Sequence, residues 1–184
     1  MSGQSSITIP DNVFLYSRSK DVASERRSMA CDLFAIFCEV NDELDASTYR
    51  VDWIRQLLTL FADRDDKVVA SAWGALDALV KSIDKEELEE LVVPLRRAIE
   101  STASRGSHVA GFCRPKGIQP IVPILLAGLL SGTQEQKEQA SYGIGDLVQR
   151  TSEAAIKPYI IQLTGPLIRV ISSGTIAAQI KGAM

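Results

Sequence analysis

Residues able to do chemistry are few in this chain, and their spacing limits what they could do. His108 is the only histidine, which excludes a multi-histidine metal site and any mechanism built on a histidine pair. His108 and Cys113 lie five residues apart in one segment. A nucleophilic thiol and its base ordinarily come from separate elements that a rigid fold brings together, so this pair is not read as catalytic. Cys31 and Cys38 are seven apart on the apolar side of one helical stretch and read as core packing, not as ligands. The carboxylates of Asp84 to Glu90 read as a helix start, where negative charge favours the dipole and a solvated face. Gly143 and Gly145 resemble a phosphate-cradling pair, but they sit inside a helical pattern with no strand before them. Close helix packing is the better reading. Neither enzyme activity nor a cofactor, metal or small-molecule substrate is expected.

Basic side chains are the remaining candidates. Arg96, Arg97, Arg105, Arg114 and Lys116 gather around one segment and could form a patch for phosphates or an acidic protein face. Aromatic interleaving is absent apart from Phe112, which weakens a nucleic-acid reading. Residues 1–100 carry 12 Lys and Arg against 19 Asp and Glu, whereas residues 101–184 carry 8 against 4. The back half is therefore mildly basic, which is compatible with an acidic protein or RNA partner.

The elements that must position these residues are helical almost throughout. Apolar residues recur at helical spacing in Ala30, Leu33, Phe34, Phe37, Val40 and in Val51, Ile54, Leu58, Phe61. The pattern returns in Val69 to Ile83, in Leu88 to Ile99, and in Ala140, Ile144, Leu147, Val148. Only the short SITI stretch near the N-terminus has strand-like alternation. Three odd cysteines without a CxxC pair point to a reducing compartment, and neither a secretion signal nor a long apolar run is evident. A cytoplasmic protein without membrane contact is expected.

Polar turns at Asp63–Asp66, Ser131–Thr133 and Ser172–Gly174 separate the helical runs. Ser131 and Ser172 are 41 residues apart, within the roughly 40–47-residue period of HEAT and armadillo units. The fold class expected is therefore an all-α solenoid of stacked antiparallel helix pairs. The longer interval from Asp63 to Ser131 suggests one repeat plus an insertion, placed at Ser101 to Gly117 as a loop reaching about residue 118. Pro120, Pro123 and Pro158 fall in helix first turns, while Pro94 and Pro166 should kink or restart theirs. Residues 1–23 read as an irregular N-terminal extension and 24–184 as the solenoid, its last hairpin incomplete.

The stretch from Gly106, GSHVAGFCRPKGIQPIVPILLAGLLSGTQEQKEQASYGIGDLVQRTSEAAIKPYIIQLTGPLIRV, closely resembles the C-terminal part of the general control nonderepressible protein 1 family. GFCRPKG, SGTQEQKEQA and LTGPLIRV carry the likeness. LLTLFADRDDKVVASAWGALDALVKSID, with Trp73, extends it more loosely, so that it covers about residues 25 to 171. It departs at ISSGTIAAQIKGAM. The resemblance implies a non-catalytic HEAT-repeat adaptor on ribosomes, acting in the amino-acid starvation response. Its C-terminal region would recruit the initiation factor 2 alpha kinase through that kinase's RWD domain. It further implies that Arg169 of LTGPLIRV faces the kinase; Lys157 and Arg150, nearby in the sequence, are expected to face the same partner. The alternative is a structural spacer whose basic segment, Arg105, Arg114 and Lys116, contacts the ribosome or its RNA.

Overall fold

The computed structural model describes residues 18–40, 47–103 and 106–172, and every regular element among them is a helix. In chain order these are α1 (Ser24–Val40), α2 (Ser47–Leu60), α3 (Asp66–Lys81), a 3-10 turn (Leu88–Leu91) leading into α4 (Val92–Thr102), and α5 (Ala110–Cys113). They continue with α6 (Val122–Leu130), α7 (Gln134–Arg150), α8 (Glu153–Ile156), a second 3-10 turn (Lys157–Tyr159) and α9 (Ile160–Ser172).

Local chemistry sets the helix starts. Asp65 caps α3 by accepting from the Lys67 N–H, and Thr133 with Gln136 forms a reciprocal capping box on α7. Pro123 and Pro158 lie in first turns, where the missing N–H is not needed. Pro94 also falls in the first turn of α4, after the 3-10 segment, so it restarts a helix as its position suggested. Pro166 is carried inside α9.

Successive helices alternate between two rows. Row one holds α1, α3, the split helix α5–α6 and the split helix α8–α9; row two holds α2, α4 and α7. Within a row the helices run parallel, as their cross-links show. Ser28 meets Ser71, 43 residues on; Trp73 meets Lys116, again 43 on; and Arg96 meets Gln139, also 43 on. This is the register of a HEAT solenoid, in which each helix pair buries its apolar stripe only against its neighbours.

The row-one elements begin at Ser24, Asp66, Ala110 and Glu153, at intervals of 42, 44 and 43 residues. The period therefore passes residues 101–117 without an insertion, which corrects the reading of an inserted segment there, while residues 106–109 and 114–121 are loop and turn as the sequence suggests. The turn at Asp63 passes from row two to row one, whereas that at Ser131 passes from row one to row two, so their separation spans about one and a half repeats. The break is in the helix instead. Gly106 (φ +84°) lies before Ala110, the chain turns at Arg114–Ile121, and Val109, Phe112 and Ile118 are nonetheless fully buried.

The core is continuous from α1 to α9. Phe61, Phe112, Ile54, Leu76, Leu95 and Ile124 are wholly enclosed, each contributing about 2 kcal/mol through burial. Phe61 and Phe112 meet edge to face with centroids 5.4 Å apart, joining row two of the first pair to row one of the third. Two stripes at the ends remain outside. Met29, Leu33, Ile36 and Val40 on α1, and Ile160, Ile161 and Ile168 on α9, are exposed apolar residues. Leu33 and Val40, read from periodicity as inward-facing, are 48% and 72% exposed, because α1 is apolar on two sides and α3 covers only one.

Candidate functional site

Arg169 and Lys157 reach solvent from the last row-one element. Lys157 stands in the 3-10 turn between α8 and α9, and Arg169 lies near the end of α9; both are exposed. Arg169 makes no ion pair among the described residues, so its guanidinium is free to meet a carboxylate. The α9 surface that bears it also exposes Ile161 and Ile168, and Gly165 leaves open space between them. Twelve residues of helical chain separate Lys157 from Arg169, about 18 Å at 1.5 Å per residue.

Arg150 does not join them. It is 2% exposed, which corrects its placement on a partner-facing surface. Its guanidinium donates to the carbonyls of Glu100 at 3.3 Å and Ala103 at 3.4 Å, covering the end of α4, and to the Asp146 carbonyl at 3.0 Å. The Asp146 carboxylate lies 3.4 Å from Arg150 and 3.6 Å from Arg96. The Arg150 carbonyl in turn accepts from Val109 N at 2.9 Å and from the Cys113 thiol at 3.8 Å. A helix's last carbonyls lack intrahelical partners, and a cation there also complements the dipole. Arg150 is thus the interior clamp that joins the second and third helix pairs. The signal available in the sequence was Asp146 four residues earlier.

The basic segment is built more tightly than its composition suggests. Arg114 donates to the Asp66 carbonyl at 3.3 Å, and Arg96 lies over the Tyr142 ring at 5.0 Å while bonding Gln139 at 2.7 Å. Arg97 and Lys116 are exposed; Arg105 lies outside the described residues. Lys116 holds a left-handed backbone (φ 60°), fixed because Trp73 Nε1 donates to its carbonyl at 2.9 Å. Gly117 follows where a Cβ would lie 2.2 Å from the Gly111 carbonyl oxygen, so no other residue fits. The GFCRPKG stretch is thus a rigid turn, and of the described arginines around it Arg96 and Arg114 are bonded within the fold. Lys116 and Lys157 are instead brought to consecutive row-one turns, a pairing that sequence separation concealed.

The remaining candidates are placed simply. Cys31 and Cys38 are buried, and burial pushes both thiols up to about 12. Cys113 is half-buried and His108 exposed. Gly143 does admit close packing, its Cβ position lying 3.1 Å from Leu125, whereas Gly145 faces open space. Among the described residues no cluster of metal-ligating side chains occurs, and no helix is long and apolar enough to cross a membrane.

Residues 13–116 match the family described as stalled ribosome sensor GCN1-like, HEAT repeats. The chain belongs to that family. It is 35% identical over 141 residues to the eIF-2-alpha kinase activator GCN1 of Saccharomyces cerevisiae, covering 77% of this chain and 5% of that protein. The Stalled ribosome sensor GCN1 of Mus musculus is 34% identical over 158 residues, covering 84% of the chain and 6% of the relative. Protein ILITYHIA of Arabidopsis thaliana is 39% identical over 126 residues, covering 64% of the chain and 5% of the relative. This chain therefore spans about a twentieth of the length of the GCN1 relatives it matches. No solved structure matches it significantly.

Proposed function

We propose that this chain is a non-catalytic scaffold segment of a cytoplasmic translational-control protein. It contributes to recruiting the starvation-responsive initiation factor 2 alpha kinase, through that kinase's RWD domain, on ribosomes. The observation that carries the reading is the α9 surface, where an exposed Arg169, without an ion-pair partner among the described residues, stands beside exposed Ile161 and Ile168. A cation next to accessible apolar surface suits a protein face that presents a carboxylate and an apolar side chain together. The names of the relatives, an eIF-2-alpha kinase activator and a stalled ribosome sensor, are consistent with this role. Arg150 contributes from the interior, by holding α7 in place, and Lys157 from the neighbouring turn.

A pull-down of the kinase RWD domain by this chain tests the proposal. Retention by the wild type and loss with Arg169→Ala is the expected pattern. Equal retention by the variant removes Arg169 from the site, and no retention by the wild type removes the partner. The alternative is a spacer that touches the ribosome through its basic segment, and exposed Lys116 favours it. It requires salt-dependent co-sedimentation with ribosomes that is lost when Arg105, Arg114 and Lys116 are neutralised.

A further inference from the structure

A second surface lies on the row-one ridge, away from Arg169. The turn after α5 and the start of the α8–α9 element enclose a cleft of about 250 Å³ lined by Cys113, Pro115, Lys116, Ala154, Ala155 and Pro158. Four of the six are prolines or alanines, so most of the wall is apolar and without rotatable side chains. Pro115 and Lys116 are held by the Trp73 bond to the Lys116 carbonyl, and Pro158 by its place in the 3-10 turn, so the cleft is pre-formed. Its cations are exposed Lys116, and exposed Lys157, which immediately precedes Pro158. Against them stands Glu153 at the start of α8.

We infer that this cleft docks an extended acidic segment of a partner protein, which seats one apolar side chain between Pro115 and Pro158 and sets flanking carboxylates on Lys116 and Lys157. A rigid wall costs little ordering on binding, and an apolar anchor with charged flanks divides affinity from orientation. A single-stranded nucleic acid fits less well. Bases bind through stacking on exposed aromatic faces, whereas here Phe112 is fully buried and Trp73 and Tyr159 are packed against the core. The cleft shares Lys157 with the surface proposed for kinase recruitment but does not use α9 or Arg169, and its readout at Cys113 needs no kinase.

Cys113 lines the cleft and is the accessible cysteine of the three, so its thiol reports occupancy directly. The intact chain is alkylated with N-ethylmaleimide, with and without a blocked acidic peptide of sequence EDLFED, and Cys113 modification is followed by peptide mass mapping. Alkylation is expected to slow about tenfold near saturation, since mass action scales protection with peptide concentration over its dissociation constant. The Lys116→Glu/Lys157→Glu double variant changes only exposed residues and should lose that protection, judged against its own peptide-free rate. Unslowed alkylation of the wild type, or undiminished protection in the double variant, overturns the inference. Equal protection by a short polyuridine also overturns it, by making the surface a polyanion contact with no apolar anchor.

Discussion

Replacing Arg150 with methionine keeps most of the apolar stem but removes the guanidinium from the interior. The Glu100 and Ala103 carbonyls at the end of α4 then lose their donor, now at 3.3 and 3.4 Å. The Asp146 carboxylate, 15% exposed, keeps Arg96 as its one remaining cation, with Nε 3.6 Å away. Removing one partner of a buried ion pair costs about 3–5 kcal/mol. Because Arg96 remains, the loss should fall near the lower bound, about 3 kcal/mol. In a chain of this size each kcal/mol lowers Tm by about 2–4 °C, so a fall of roughly 6–12 °C is expected. Far-ultraviolet circular dichroism on heating, with urea melts for the free energy, measures it. Arg169→Ala is the control and should melt with the wild type, because it removes an exposed side chain. If Arg150→Met also melts with the wild type, the interior clamp is refuted and Arg150 returns to the list of surface candidates.

Burial pushes the Asp63 carboxyl up, but the Arg27 guanidinium and the Asp65 N–H outweigh it and hold it below its ordinary 3.8. A carboxyl depressed in the folded state stabilises the fold above its unfolded value and loses that contribution as pH falls through the folded value. Urea melts should therefore weaken below about pH 4, and less steeply in Asp63→Asn. Two glycine substitutions should have opposite signs. Gly145→Ala meets nothing within 4 Å and should stabilise α7 by about 0.5–1 kcal/mol, whereas Gly117→Ala drives a Cβ onto a backbone oxygen and should destabilise, as paired urea melts would show. In the native chain near neutral pH, a thiol reagent should modify Cys113 and spare Cys31 and Cys38. Mass mapping reads the sites.

Helical periodicity and the interval from Ser131 to Ser172 were legible in the sequence, because both follow from burying one stripe per helix at a fixed repeat length. The interval from Asp63 to Ser131 misled, because turns entering row one and turns leaving it share the same polar residues. GFCRPKG reads as a loop by its glycines and proline. Its Phe112 and the Ile118 that follows it are nevertheless core, since a split helix contributes single residues that are too few to show a period. An arginine in the last turn of α7 looks like a solvated charge, and only the neighbouring α4 terminus, 50 residues earlier at Glu100, makes it an interior cap. Arg169 was singled out by the resemblance of LTGPLIRV and Lys157 by its nearness to it, and both are exposed. The proximity of Lys116 to the start of the α8–α9 element was not legible, because stacking rather than sequence brings consecutive row-one turns together.

Calorimetric titration of the kinase RWD domain into this chain, into Arg169→Ala and into Arg150→Met puts the scaffold account to its most direct test. The account predicts binding by the wild type and at least about a tenfold weaker Kd for Arg169→Ala at unchanged Tm, which is about 1.4 kcal/mol lost at the surface. Arg150→Met should bind in proportion to its folded fraction. Absence of binding by the wild type, or identical affinities for wild type and Arg169→Ala, would contradict it.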